Sequence, residues 1–470
     1  MRSELEIKSI QELIDEKIVL VHKDGNHGSK YPRTSDFGNT GVPFLTAKLL
    51  DNNGNIDFSN APRLSNDKAD KFTFGFVQAN DVLLSHNATV GRVAVVPKID
   101  ERMLIGTSLT HYRLDTSRLL PKYLAAFFSS SSFQNQLASL MSQTTRNQVP
   151  ITTQRKLEVT FPPLPIQKKI AHILSTLEDK IELNRKMNKT LEEMAQSIFK
   201  SWFVDFDPVH AKANASSDAD YDTIAKKLGI SREVLDLFPD KFEESELGTI
   251  PEGFKVRNLD ECGLEIESGK RPKGGIDKEL KDGFPSVGAE SISPIGEFDY
   301  SKEKNVTNSF AKNIKSGKIH DFDIVLYKDG ARLSDSERLN DKLSIYGEGF
   351  PYKEFFINEH IYILRSKDLG QFFLYFLMTS RDSISHLVNC ATGKAAQPGL
   401  NQAEVKDLKF ICPHLVLLDV FNNLVSPIVK KQLKNGSNNK DLSKLRDLLL
   451  PKLLSGELDV SELELGHVSH

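Results

Sequence analysis

Cysteine is almost missing from this chain: Cys262, Cys390 and Cys412 are the three among 470 residues. They are few, odd in number and far apart, which argues against a disulfide framework or a zinc knuckle and fits a reducing cytoplasm. Long apolar runs are missing too. No stretch reaches the roughly 18 apolar residues that a membrane-crossing helix needs. Met1 to Ile10 carries charges throughout and has no apolar segment, so a signal peptide is not expected. A large excess of one charge is also lacking. The net charge is −3, and residues 1–165 hold 19 Lys+Arg against 16 Asp+Glu. Bulk charge therefore does not announce a nucleic-acid partner. If DNA is the partner, the positive charge must gather on one face or be shared with another subunit.

Several catalytic signatures are absent as well. No Gly-x-x-x-x-Gly-Lys-Ser/Thr loop is present, so no nucleotide-driven motor is indicated. No glycine-rich cofactor loop follows a strand, and no His/Cys spacing suits a metal. Phe161-Pro162-Pro163-Leu164 superficially resembles the Asn/Asp-Pro-Pro-Tyr/Phe element of amino-methyltransferases but lacks the leading Asn or Asp. It reads better as a domain edge. Glu279-Leu280-Lys281 has the Glu-x-Lys form of metal-dependent nucleases, but the nearest upstream Pro-Asp, Pro239-Asp240, falls in a linker, and chance explains the match.

What the chain does contain is a long internal repeat. Arg155-Lys156-Leu157-Glu158-Val159-Thr160-Phe161-Pro162-Pro163-Leu164 aligns with Lys406-Asp407-Leu408-Lys409-Phe410-Ile411-Cys412-Pro413-His414-Leu415 at an offset of 251. The same offset continues through Ile170/Phe421, Leu174/Val425, Asn184/Asn435, Asn188/Asn439 and Ile198/Leu449. Upstream, Asp81-Val82-Leu83-Leu84 resembles Asp323-Ile324-Val325-Leu326 at offset 242, and Gln148-Val149-Pro150-Ile151 resembles Gln397-Pro398-Gly399-Leu400 at 249. Helical periodicity alone would match apolar positions. It would not match the strand-proline lead-in or the paired asparagines.

The repeated C-terminal segments read as long helices. In the first, Ile170, Leu174, Leu177, Ile181, Asn184, Asn188, Leu191, Ala195 and Ile198 step by four and three, a heptad seam with a polar middle. A helix over 166–203 would be about 55 Å long. The second seam runs Leu417, Phe421, Leu424, Ile428, Lys431, Asn435, Asn438, Leu442, Leu445 and Leu449, with Gly436-Ser437 a possible interruption. An antiparallel intramolecular coiled coil is the simplest way to cover both stripes. Packing on each helix's own domain, or on a second chain, stays open. Asn184, Asn188, Asn435 and Asn438 would then set the register, since buried polar seam residues cost stability but fix alignment.

The expected fold class is mixed α/β (α+β), with two similar target-recognition domains and two long helices. The boundaries read as 1–165 for the first domain, 166–206 for the central helix and 207–250 for a linker. The linker would hold one short helix, Tyr221 to Leu228. The second domain covers 251–415 and the C-terminal helix 416–460. Short apolar runs such as Ile18-Val19-Leu20-Val21, Val82-Leu83-Leu84, Ile324-Val325-Leu326 and Ile361-Tyr362-Ile363-Leu364 read as strands. Leu119–Leu140 and Gly370–Val388 read as helices.

The loops between them carry side chains suited to DNA. Arg, Lys, Asn and Gln read base edges, and Lys also holds phosphates. In the first copy the candidates are Lys30, Arg33, His86, Asn87, Arg92, Arg146 and Gln148. In the second they are Lys270, Arg271, Lys273, Lys328, Arg332, Lys394 and Gln397. Each alone is as well explained as an ordinary polar loop residue; recurrence in two copies favours the loops as a set.

Leu164-Pro165-Ile166-Gln167-Lys168-Lys169-Ile170-Ala171, Ile181-Glu182-Leu183-Asn184 and Ser201-Trp202-Phe203-Val204-Asp205-Phe206-Asp207-Pro208 together resemble the central constant region of type I restriction–modification specificity subunits. Glu246-Leu247-Gly248-Thr249-Ile250-Pro251-Glu252-Gly253-Phe254 resembles that family's lead-in to a second recognition domain, and Leu445 to Leu458 its closing helix. The first copy lacks the Ile-Pro-Glu-Gly-Phe lead-in, and Pro413-His414-Leu415 leaves the start of the second helix open.

The resemblance implies a non-catalytic subunit whose two domains each read half of a split, asymmetric target in double-stranded DNA. It implies that the helices set the gap and dock two methyltransferase (modification) subunits, and that restriction subunits add an ATP-dependent translocase and nuclease. No cofactor would be bound here; S-adenosylmethionine, Mg²⁺ and ATP would belong to the partners, and the location would be cytoplasmic. The competing readings are a self-contained nuclease or methyltransferase, and a coiled-coil scaffold that binds only protein.

Overall fold

The computed structural model describes residues 5–464, apart from 26–27, 52, 143–146, 274, 276–279, 281, 298–303, 331–332, 334, 348–353 and 394–397. The chain divides into two compact units, Met1–Lys180 with Leu442–His470, and Ile181–Asp441. Each unit thus holds one recognition domain together with part of both long helices.

In the first unit, Glu6–Ser9 pairs antiparallel with Glu158–Phe161, the strand that feeds the first long helix. A four-stranded sheet follows in the order Val19–Asp24, Leu109–Leu114, Val82–Ser85, Val93–Val95. A second sheet contains the parallel pair Val42–Leu45 and Met103–Ile105. Helices Pro121–Ser129 and Ser131–Met141 complete the domain. Val82–Ser85 is buried at every position, with a Val-Leu-Leu run in place of alternation, because both of its faces are covered: Val82 and Leu84 enter one core, Leu83 another.

The second unit repeats this plan. Lys255–Asn258 pairs with Lys409–Cys412. The four-stranded sheet has the order Glu265–Ser268, Ile361–Arg365, Ile324–Tyr327, Leu343–Ile345. Phe284–Val287 and Phe356–Ile357 form the parallel pair, and helices Gln371–Met378 and Arg381–Thr392 close the domain. Ile324 and Leu326 enter one core and Val325 another, as in the first copy.

The long helices are Leu164–Phe203 and Leu415–Leu454, 40 residues each and about 60 Å long. Their starts and ends keep the 251 offset, which places the start of the second helix at Leu415. The first helix ends at Phe203, as the 166–203 reading has it and short of the segment boundary at 206, because Phe206 takes a left-handed φ of 52° and starts a short helix, Asp207–Ala213. The linker holds further helices at Asp218–Leu228 and Arg232–Asp236, so it is more ordered than the single short helix expected. Trp202, Phe203, Phe238, Phe373 and Phe421 are buried together within the second unit. That cluster accounts for the dense aromatic motif at the end of the first helix.

The two helices pack antiparallel. In the second unit Asn184 Nδ2 donates to Asn439 Oδ1 at 2.8 Å, Asn435 Nδ2 donates to Asn188 Oδ1 at 2.8 Å, and Gln432 Nε2 donates to the Asn188 carbonyl at 3.2 Å. In the first unit Ile166, Ile170 and Leu174 share a core with Leu453, Leu454 and Val460. Asn184, Asn188 and Asn435 are buried, whereas Asn438 is half-buried and the bonded partner is Asn439. The second seam also departs from the heptad. Leu417 and Phe421 are buried as expected, but the stripe then follows Val425, Val429 and Gln432, leaving Leu424 43% exposed and Lys431 exposed. The cause is a second burden on this helix: Leu417, Leu418, Phe421, Val425, Val429 and Leu433 also pack into the core of the recognition domain. A step of four residues suits that broader face better than a heptad does.

The helix is unbroken across Gly436. A Cβ there would lie 2.7 Å from the carbonyl carbon of Gly296 and closer still to its oxygen. Glycine therefore admits a loop backbone against the helix at this point.

Candidate nucleic-acid interface

The recognition loops leave the ends of two buried strands, and one side-chain network secures both. Asp81 precedes Val82–Ser85. It is 1% exposed and accepts from Arg113 Nη2 at 2.7 Å, from Arg113 Nε at 2.9 Å and from the Gln78 amide at 2.9 Å. Arg113 also reaches the Phe76 carbonyl at 3.3 Å. Asp323 stands in the same place in the second copy, 2% exposed. It accepts from Arg365 Nε at 2.6 Å and from the His320 amide at 2.7 Å, while Arg365 reaches the Lys318 carbonyl at 3.1 Å. Even the backbone twist is repeated: Asn80 has φ 71° and Phe322 φ 65°. Burial would push the Asp81 carboxyl up, but hydrogen bonds from His111 and Arg113 overcome this and hold it below its ordinary value.

The far ends of these strands carry the loops, and their frames also match. In the first copy the His86 amide donates to the Ser108 carbonyl, the Val149 amide to the His86 carbonyl and the Ala88 amide to the Asn147 carbonyl, at 3.0, 2.8 and 3.3 Å. In the second, Lys328 donates to His360, Leu400 to Lys328 and Gly330 to Pro398, at 3.1, 2.7 and 2.9 Å. These bonds set Asn87 opposite Gln148, and Asp329 opposite Gly399, as isolated β-bridges. Ala88 and Gly330 both take positive φ, 64° and 115°. Asn87 and Gln148, singled out from sequence on separate loops, are thus brought together.

The remaining candidates separate by exposure. Lys30, Arg33, Lys270, Arg271 and Lys273 are exposed. Arg271 also approaches Glu359 at 3.4 Å. Lys328 is half-buried, its ammonium 4.9 Å from the Tyr362 ring centre. Two candidates are corrected. His86 is 3% exposed, and both its ring nitrogens are buried without a hydrogen-bond partner among the described residues. The strand pairing that fixes its backbone turns the ring inward, and burial lowers its pKa. Arg92 is half-buried and spends its guanidinium on the Ala47 and Leu50 carbonyls at 3.2 and 2.6 Å. In this conformation His86 presents no donor to a base edge, and Arg92 has Nη1 committed to those two carbonyls. Arg146, Arg332, Lys394 and Gln397 lie outside the described residues.

Two features escaped sequence reading. His360 Nδ1 lies 2.6 Å from Asp329 Oδ1, an exposed pair spanning 31 positions. Asp329 directly follows the candidate Lys328, but a carboxylate is not a side chain that by its type points to DNA. The other is buried Gln154, which accepts from the Tyr112 hydroxyl at 2.7 Å and donates to Thr110 Oγ1 and to the Val149 carbonyl, each at 3.0 Å. Beside it, burial drives His22 down to about 4. Among the described residues no group of three or more His, Cys, Asp or Glu is placed to hold a metal ion, and no helix is long and apolar enough to cross a membrane.

Two copies of one α/β module, each offering a paired loop and each continuing into a 40-residue helix, define a class of internally duplicated α/β proteins. Residues 28–193 match the family model described as the type I restriction modification DNA specificity domain. Over 422 residues the chain is 26% identical to the type I restriction enzyme HindI specificity subunit of Haemophilus influenzae, covering 81% of this chain and 87% of that one. Over 425 residues it is 26% identical to the MjaIX specificity subunit of Methanocaldococcus jannaschii, covering 90% and 88%. Over most of its length the chain is thus similar to type I restriction–modification specificity subunits. Among solved structures it is similar to the type I S subunit from M. genitalium, at 16% identity, 96% of each chain and TM-score 0.49. It is also similar to the HsdS subunit from Thermoanaerobacter tengcongensis, at 14% identity, 97% of each chain and TM-score 0.33. Both scores fall below 0.5, so the likeness rests on sequence.

Proposed function

We propose that this chain gives a type I restriction–modification complex its DNA sequence specificity, with each recognition domain reading one half of a bipartite, asymmetric site in double-stranded DNA. The observation that carries the reading is the duplicated loop frame, Asn87 opposite Gln148 and Asp329 opposite Gly399, built from equivalent hydrogen bonds in two modules. Two related but unequal loops suit two different half-sites.

The helices act as the spacer between the halves. Their polar pairs, Asn184–Asn439 and Asn188–Asn435, supply a fixed register, and a fixed register keeps a gap constant. The helices also offer apolar side chains to protein partners. Leu415, Val416 and Leu448 are 65, 56 and 58% exposed, and Leu183 and Met194 are each 52% exposed. Two methyltransferase subunits dock on these helices, and restriction subunits complete the ATP-dependent nuclease. S-adenosylmethionine, Mg²⁺ and ATP act in those partners, and this chain performs no chemical step. The complex works in the cytoplasm.

The test is reconstitution. The purified partner methyltransferase is assayed for methyl transfer from S-adenosylmethionine to DNA with and without this chain. Site-specific transfer that requires the chain supports the reading; equal, equally specific transfer without it contradicts the reading.

A further inference from the structure

Resting on that functional reading, we propose that Asn87 and Asp329 are the equivalent base-reading positions of the two halves, Asn87 selecting adenine and Asp329 selecting a cytosine through its amino group. The equivalence is structural. Each residue follows the position whose amide donates into the neighbouring strand, at Ser108 or His360, and whose carbonyl receives the closing loop, from Val149 or Leu400. Each sits opposite a closing-loop residue, Gln148 or Gly399. Each precedes a residue of positive φ, Ala88 or Gly330. The side chain at this point therefore leaves the same kind of turn in both modules, on a backbone held from two sides.

The chemistry differs between the copies. An asparagine amide carries an NH2 that can donate to adenine N7 and an oxygen that can accept from adenine N6–H in the major groove; Gln148, set opposite, adds a second amide at the same place. A carboxylate offers acceptors only and is repelled by phosphate, so on a DNA-facing loop its partner is a base amino group, the cytosine N4 pairing above all. Asp329 keeps 42% of its side chain exposed. His360 at 2.6 Å from Oδ1 anchors the carboxylate, and a carboxylate has a second oxygen left to accept. Arg271, 57% exposed and flanking Glu359, can hold the phosphates that would otherwise repel the acid.

The experiment uses the whole complex with its modification subunits. Methylation motifs are mapped on a random-sequence DNA library for wild type, Asn87→Asp, Asp329→Asn and His360→Ala. Asn87→Asp should change one base pair in one half-site, and Asp329→Asn one base pair in the other. Each should cost about ten-fold or more on the original site while the salt dependence stays as in wild type. His360→Ala should relax discrimination at the base pair read by Asp329. Retained motifs in both near-isosteric variants would overturn the proposal. So would a uniform loss on every sequence with a flatter salt slope, the mark of a phosphate contact, or a loss matched by a lowered melting temperature. If wild type yields no split motif, the functional reading fails and this inference falls with it.

Discussion

Asp81 is closed by Arg113 at 2.7 Å within the first module, and 242 positions on Asp323 is closed by Arg365 at 2.5 Å within the second. Both aspartates are almost wholly buried, both precede the strand that carries a recognition loop, and both take a backbone amide as a further donor. The ion pair is the anchor of the module, and the loop at the strand's other end is what each copy varies.

Asp81→Ala should therefore be strongly destabilising. It strands Arg113, which is 27% exposed, beside His111, which is 3% exposed, and it leaves the Gln78 amide without its acceptor. Because Arg113 is partly solvated, the expected loss is about 3 kcal/mol, the low end for breaking a buried pair. Denaturant unfolding of the variant measures it; a midpoint within about 0.5 kcal/mol of wild type would show that the pair is dispensable.

Gly436→Ala pits two effects against each other. Alanine gains roughly 1 kcal/mol of helix propensity over glycine. Its Cβ would meet the Gly296 backbone, 2.7 Å from the carbonyl carbon, and neither backbone yields easily. Overpacking of this kind costs about 1–3 kcal/mol, so the balance falls on destabilisation. A raised melting temperature would mean that the loop simply moves away.

The asparagine pair across the helices should show coupling. Asn188→Ala leaves the Asn435 amide without its 2.8 Å acceptor, and Asn435→Ala does the reverse. A double-mutant cycle should return about 1 kcal/mol of interaction energy. Strict additivity of the two substitutions would remove the pair from any role in register.

Stability should also fall on acidification through His22. The ring is 6% exposed, and burial takes its pKa from 6.5 to about 4. The depressed folded value means the neutral ring is favoured in the fold. Stability is full above about pH 6.5 and is lost as pH falls toward 4, because the unfolded chain takes up the proton first. The span is worth on the order of 3 kcal/mol. Unfolding of wild type and His22→Gln at pH 7 and pH 4.5 should show a smaller acid loss in the variant; equal losses would assign the effect elsewhere.

How much of this was legible in the sequence follows from what evolution left in step. The strand-to-helix segment kept its residue count, so the 251 offset located both long helices to within two residues of their starts at Leu164 and Leu415. Upstream, loop insertions shifted the offset to 242, yet the Asp-apolar run at Asp81 and Asp323 still marked equivalent strands. The second seam was misjudged after Phe421 because a heptad pattern assumes one partner, whereas Val425 and Val429 also serve the recognition domain. His86 looked like a surface residue by type; only strand pairing shows that its ring turns inward. Asp329 and His360 were invisible as a pair because nothing in sequence joins two residues 31 apart, one just past the end of a strand and the other just before the start of its neighbour. Local pattern conveys elements and register, while contacts between loops come from the tertiary fold.

The most direct test of the central claim is a genome-wide map of methylated bases in a methylation-free host expressing the partner methyltransferase with and without this chain. The account predicts a split, asymmetric motif that appears only when the chain is present. A motif that is unchanged without the chain would assign specificity to the partner and contradict the reader role argued for the two modules.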